Sequence, residues 1–117
     1  MSEVVHHAIL VSVDDLPNGD VLWKVHKKAQ SLFDTLVSEV VHSNMNHVDS
    51  FFIAPDGSYD GREMSNRFDE KRDEFISYLE SFASNNGSSP VQYAEIRYDE
   101  MQRTNLIRSN QEIVVER

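Results

Sequence analysis

At 117 residues and 13.5 kDa the chain is expected to form one α+β domain over 1–117, and a two-domain enzyme is excluded because neither half could bury its own core. Hydrophobic residues at 39% and charged residues at 26% describe an ordinary soluble chain rather than a disordered one. Twenty acidic against eleven basic residues give a net charge of −9, a field that repels phosphate backbones, so no direct nucleic-acid binding is expected.

That acidity is spread along the chain. Residues 1–58 carry three basic and eight acidic groups, and residues 59–117 carry eight and twelve. An acidic surface without an acidic tail suits a partner protein with a basic surface. The absence of cysteine excludes thiol catalysis, cysteine-type zinc sites and disulfides. No basic stretch leads into an apolar run, and no apolar run reaches spanning length, so no membrane and a cytoplasmic location are expected.

Residues 4–13 are rich in β-branched side chains and read as a strand. Val5, His7, Ile9, Val11 and Val13 fall on one face; His6, Ala8, Leu10 and Ser12 fall on the other. After a turn cluster at 14–19, Asp20 caps a predicted helix running to about residue 42. Leu22, Val25, Ala29, Leu32, Phe33, Leu36, Val37 and Val40 form its stripe.

A second strand is predicted over 48–54, stopped by Pro55-Asp56-Gly57-Ser58. A second helix, capped by Ser65 and reaching about residue 83, has the stripe Phe68, Phe75, Ile76, Leu79, Phe82 and Ala83. Gly87 breaks the chain after it. Strands follow over 91–98, 104–108 and 112–116. The expected fold is β-α-β-α followed by a β meander, a mixed sheet with two amphipathic helices on one face.

The run Ser50-Phe51-Phe52-Ile53-Ala54-Pro55-Asp56-Gly57-Ser58 is followed by Phe75-Ile76 and Tyr78-Leu79 in a charged helix, then by Gly87-Ser88-Ser89-Pro90 and Tyr93-Ala94-Glu95-Ile96. Together, over about 48–98, these resemble small accessory proteins of tailed phages. That family has no assigned activity, so no functional residue carries over. The resemblance implies a phage protein acting in the host cytoplasm by binding a host protein, including components of host defence.

Asp56, Ser58 and Asp60 with Gly61 match the first half of a calcium loop, whose oxygens at positions 1, 3 and 5 converge on one ion. Position 12 is Arg67 instead of the closing glutamate, and a glycine-assisted turn explains the same residues. Pro55-Asp56 with Asp69-Glu70-Lys71 imitates a metal-dependent nuclease signature, although its second element falls in a helix. A histidine site could join His6 or His7 to His47 and Asp49, but scattered surface and half-buried histidines are the simpler account. No nucleophile elbow or phosphate-cradling glycine loop occurs.

Binding features stand out more clearly. Lys24, Lys27 and Lys28 form the only basic cluster, and Asp69, Glu70, Asp73, Glu74 and Glu80 form a negative ridge on the second helix, where Lys71 and Arg72, beside the apolar stripe, could each snorkel. The sequence therefore points to a non-enzymatic acidic binding protein without a cofactor, whose partner is a basic host protein. The alternatives are a small divalent-metal enzyme or regulator at the Asp56–Asp60 loop, and a homodimeric structural protein covering its apolar second sheet face at Val4, Ala8 and Leu10.

Overall fold

Alternation along the strands separates the two sides of the sheet. A computed structural model describes residues 5–14, 20–58, 62–99 and 103–111. In β1 (Val5–Asp14), Val5, Ile9, Val11 and Val13 are buried, while Leu10 and Asp14 are exposed. The remaining elements are α1 (Asp20–Phe33), a 3₁₀ turn at Asp34–Leu36, β2 (Val41–His42), β3 (Val48–Ile53), α2 (Glu63–Glu80), β4 (Val91–Asp99) and β5 (Thr104–Ser109).

The five strands form one sheet in the order β2-β3-β1-β4-β5. The mixed sheet expected from sequence is corrected, because every pairing among these strands is antiparallel. The cause is the short β2–β3 hairpin, which adds one reversal after α1 and brings β3 in antiparallel to β1. The chain then crosses through α2 to β4, which runs the same way as β3, but β1 lies between them. The resulting β-α-β-β-α-β order is that of the split βαβ arrangement, with β5 added at one edge. The predicted strand over 112–116 lies outside the described residues.

Both helices cover the same sheet face, as expected. Val25, Ala29 and Phe33 of α1 and Phe75, Ile76 and Leu79 of α2 share one core with Ile9, Val11, Val13, Phe51, Ile53, Val91 and Tyr93. His26 pins α1 to its neighbours: its Nε2 lies 2.9 Å from the Ser38 carbonyl, and its ring meets Phe51 edge-on.

α1 stops at Phe33, some nine residues before its predicted end. Asp34 takes a φ of +51°, a left-handed conformation that aspartate tolerates better than most residues. Beyond it the β-branched Val37, Val40 and Val41 favour extended backbone. Ser38 N–H donates to the Phe52 carbonyl, Ser38 Oγ accepts from Phe52 N–H, and Ala54 N–H donates to the Leu36 carbonyl. Leu36, Val37 and Val40 still pack on the core. Their apolar contacts survive the change of backbone, which is why a helical stripe described them.

α2 begins at Glu63, two residues before the predicted cap, and Ser65 is buried inside its first turns. Gly57 and Gly87 have φ of +78° and +86°, the left-handed turns expected of them. Gly61 lies outside the described residues.

Phe33 and Phe75 join the helices: their rings meet edge-to-face with centroids 5.9 Å apart. Phe33→Ala and Phe75→Ala are each expected to cost about 3–5 kcal/mol in urea unfolding. Their double variant should show about 0.5–1.5 kcal/mol of coupling, the ring-pair contribution beyond burial. Strictly additive losses would show that the rings do not act on one another.

Candidate functional site

α2 carries one misfit on its buried stripe. Phe68, Phe75, Ile76 and Leu79 recur at helical spacing, and Arg72 falls among them. An unpaired guanidinium in that position is strongly unfavourable, so it must either reach water or meet counter-charge. The expectation that Arg72 snorkels is corrected: it is 4% exposed and is held by carboxylates. Its Nη1 donates to Asp56 Oδ1 at 3.1 Å and its Nη2 to Asp69 Oδ1 at 2.5 Å. Its Nε lies 3.9 Å from Glu95 Oε2.

Glu95, on the inner face of β4, continues the network. Arg108 of β5 donates from Nε to Glu95 Oε1 at 2.6 Å and from Nη1 to Asp73 at 2.9 Å. His7 Nδ1 is buried 3.8 Å from Glu95 Oε2, with no hydrogen-bond partner among the described residues. A cleft of about 390 Å³ opens between α2 and β5, lined by His7, Asp69, Arg72, Asp73, Glu95, Ile107 and Arg108.

A β-bulge makes this pairing possible. Ile96 pairs with Leu106, but Glu95 pairs with Arg108, leaving Ile107 as the extra residue. Without it, Arg108 would share the outer face with Leu106. The bulge turns the guanidinium inward instead.

Burial alone would raise the Asp56 carboxyl, but the Ser58 hydrogen bond and Arg72 outweigh it and hold Asp56 below its ordinary value. Burial likewise opposes ionisation of Glu95, and the His7 ring and Arg108 overcome it. Burial also favours the neutral form of Arg108, yet Glu95 and Asp73 keep its pKa above the ordinary guanidinium value. Carboxylates held below their ordinary range are weak bases, and both guanidinium groups already engage them. The arrangement is suited to locking α2 onto the sheet more than to moving protons.

The structure separates or redirects the other predicted site residues. Asp56 and Asp69, the two carboxylates of the nuclease-like pattern, do converge, but on the Arg72 guanidinium. Lys71 lies over the Phe68 ring at 4.8 Å. Ser58 donates its backbone N–H to Asp56, and Asp60 lies outside the described residues. No metal-competent group of three or more His, Asp or Glu side chains occurs among the described residues.

The proposed histidine site is not assembled. His7 faces Glu95, while Asp49 meets His42 at 2.7 Å. His6 is on the opposite face, stacked on Tyr98, and His47 is exposed. The basic cluster divides too. Lys24 and Lys27 are exposed, with Lys27 over Trp23, whereas Lys28 bridges to Glu74 at 2.8 Å and lies over Tyr78.

Much of the acidic ridge is partnered. Asp69 holds Arg72, Asp73 holds Arg108, Glu74 holds Lys28, and Glu80 accepts from the Tyr93 hydroxyl at 2.5 Å. Burial and that Glu80 contact push the Tyr93 pKa well above the ordinary phenol value. Glu70, Asp73 and Glu74 remain exposed. Sequence reasoning missed Glu95 and Arg108, although a glutamate at an inward position of a strand was the available signal.

No described helix is long and apolar enough to cross a membrane. Comparison with family models, curated proteins and solved structures gives no match in any of the three.

Arg72→Met should destabilise by about 3–5 kcal/mol, because it leaves Asp56 buried without counter-charge. The pH dependence has a definite sign. Asp56 and Glu95 titrate lower when folded than their ordinary values of 3.8 and 4.5. Their contribution is complete above those values and is lost as pH falls through the lower folded ones. Urea midpoints should therefore decline below about pH 4. Glu95→Gln should start lower at neutral pH and decline less steeply; an acid limb unchanged by the substitution would refute the assignment.

Proposed function

We propose that the chain is a non-enzymatic binding protein that presents the acidic outer side of α2 to a basic protein surface. One observation carries the reading. α2 has six carboxylates against three cations, and one of those cations, Arg72, is buried beneath the helix. Arg72 and its helix neighbour Asp69 offset one another, and the solvent side keeps an excess of carboxylates, of which Asp73 and Glu74 each also meet a cation. Glu70, Asp73 and Glu74 are exposed on this side, and the Asp73 and Glu74 side chains are 69% and 57% accessible.

The fold itself carries no functional argument, because split βαβ domains serve many activities. The resemblance to tailed-phage accessory proteins supplies the context: a host protein as partner, a host-defence component among the candidates, and the host cytoplasm as the compartment.

Electrostatic complementarity of this kind acts mainly on the encounter rate. A host protein captured from bacterial lysate at low salt should therefore associate more slowly as salt rises and the Debye length falls from about 10 Å at 0.1 M to about 3 Å at 1 M. Glu70→Lys combined with Glu74→Lys should slow association about tenfold at low salt, within the range of electrostatic steering. The fold should tolerate this change, since Glu70 is exposed and the Lys28–Glu74 bridge is a surface pair worth about 1 kcal/mol at most. An on-rate in surface plasmon resonance that ignores both salt and the double reversal would eliminate the proposal.

A further inference from the structure

The middle of the sheet face opposite the helices is apolar and open, with Ser12, Ser50, Gln92 and Thr104 toward its margins. Leu10 and Phe52 pair across β1 and β3, Ala8 and Ile96 pair across β1 and β4, and Ile96 meets Leu106 of β5. Leu10 is 54% exposed, Phe52 49%, Leu106 42% and Ile96 38%. A hollow of about 400 Å³ lies beside Leu10, Val41 and Phe52.

This face is also unlike the rest of the molecule in charge. Its described strand positions include no lysine or arginine, and their one carboxylate, Asp14, lies at the end of β1; Glu39 stands on the rim of the hollow. We infer that the face is the seat of a second copy of this chain, forming a twofold dimer in which the two open sheets pack on one another.

Charge selects that occupant. A basic partner finds its complement on α2, whereas a second copy carries the same net −9 and can approach closely only where carboxylates are sparse. Sheets pack face to face about 10 Å apart, so the two α2 layers lie outside both sheets, separated by well over the Debye length of about 10 Å at 0.1 M. Nucleic acid is disfavoured on this face, since its described strand positions hold no lysine or arginine to meet phosphates.

The area is sufficient. Five strands at about 4.8 Å spacing span about 24 Å, and the central strands run about 30 Å, giving roughly 600 Å² of face per copy before side-chain relief is counted. Two copies would bury more than the ~1,000 Å² at which specific interfaces begin. The interface is isologous, so Leu10 and its neighbours serve on both sides.

The proposal is independent of the acidic helix surface, and salt separates the two. Sedimentation velocity of the full chain should show the 13.5 kDa species giving way to twice that mass between about 1 and about 100 μM, where a micromolar dimer populates. Raising salt from 0.1 to 1 M should tighten the dimer by screening the remaining repulsion, the opposite of its effect on partner encounter. Leu10→Glu should weaken self-association at least tenfold, while Ile96→Thr retains a β-branched side chain and should weaken it less. Far-ultraviolet circular dichroism and melting temperature report whether each variant is folded. A chain that stays monomeric at both salts overturns the inference. So does a dimer that folded Leu10→Glu and Ile96→Thr leave unchanged. A monomer that loses its captured partner on Leu10→Glu assigns the face to that partner and overturns it equally.

Discussion

A guanidinium on the buried stripe of a helix has to be matched, and that requirement organises the half of the molecule around α2. Arg72 draws in Asp56 from the loop before the helix, Asp69 from the preceding turn and the edge of Glu95 from β4. A buried ion network of this kind is a weak source of net stability, because apolar side chains of equal volume often do as well. Its stronger effect is on alternatives. Sliding α2 by one turn, about 5.4 Å, would carry Arg72 away from Asp56 and Glu95 and leave it only Asp69 of its own helix. The apolar stripe alone could tolerate such a shift; the charge cannot.

The same logic extends across the sheet. β5 packs at the edge, where its exposed residues would otherwise leave register weakly specified. The bulge at Ile107 gives up one regular pairing and in return places Arg108 opposite Glu95 on the inner face. Asn110 then continues the ladder with its side chain, accepting from Tyr93 N–H and donating to the Val91 carbonyl. Two specific polar contacts thereby fix a strand that apolar packing touches little.

What was legible in the sequence follows period and chemistry. The face assignments of β1, the inner face of α1 up to Phe33, that of α2 up to Leu79 and the turn glycines Gly57 and Gly87 each rest on local pattern, and each holds. Ala83 of the predicted stripe is exposed beyond the end of α2 at Glu80. The end of α1 was not legible, because Leu36, Val37 and Val40 satisfy a helical stripe and an extended core contact equally well. The β2–β3 hairpin was hidden by its length, since a two-residue strand leaves almost no periodic trace. The ion network was hidden for another reason: Arg72, Glu95 and Arg108 are far apart in sequence, and only topology brings them together. The nuclease-like pattern pairs Asp56 with Asp69, and they do meet, but around an arginine that sequence spacing alone does not assign as their partner.

The two sides of the molecule differ for a topological reason. β1 sits between β3 and β4, so each crossover passes over a neighbouring strand, and both crossing helices lie on one face of the sheet. Among the described residues the helices carry about half of the charged side chains, net negative on α2 and net positive on α1, joined by the Lys28–Glu74 bridge. The opposite face inherits only alternate strand residues, and in β1, β3 and β4 these are mainly small, apolar or uncharged polar. One surface is therefore governed by long-range, salt-sensitive forces and the other by contact and desolvation. Forces of such different range can act on two partners at once without competing, because the helix surface steers from a distance while the sheet face acts only on contact.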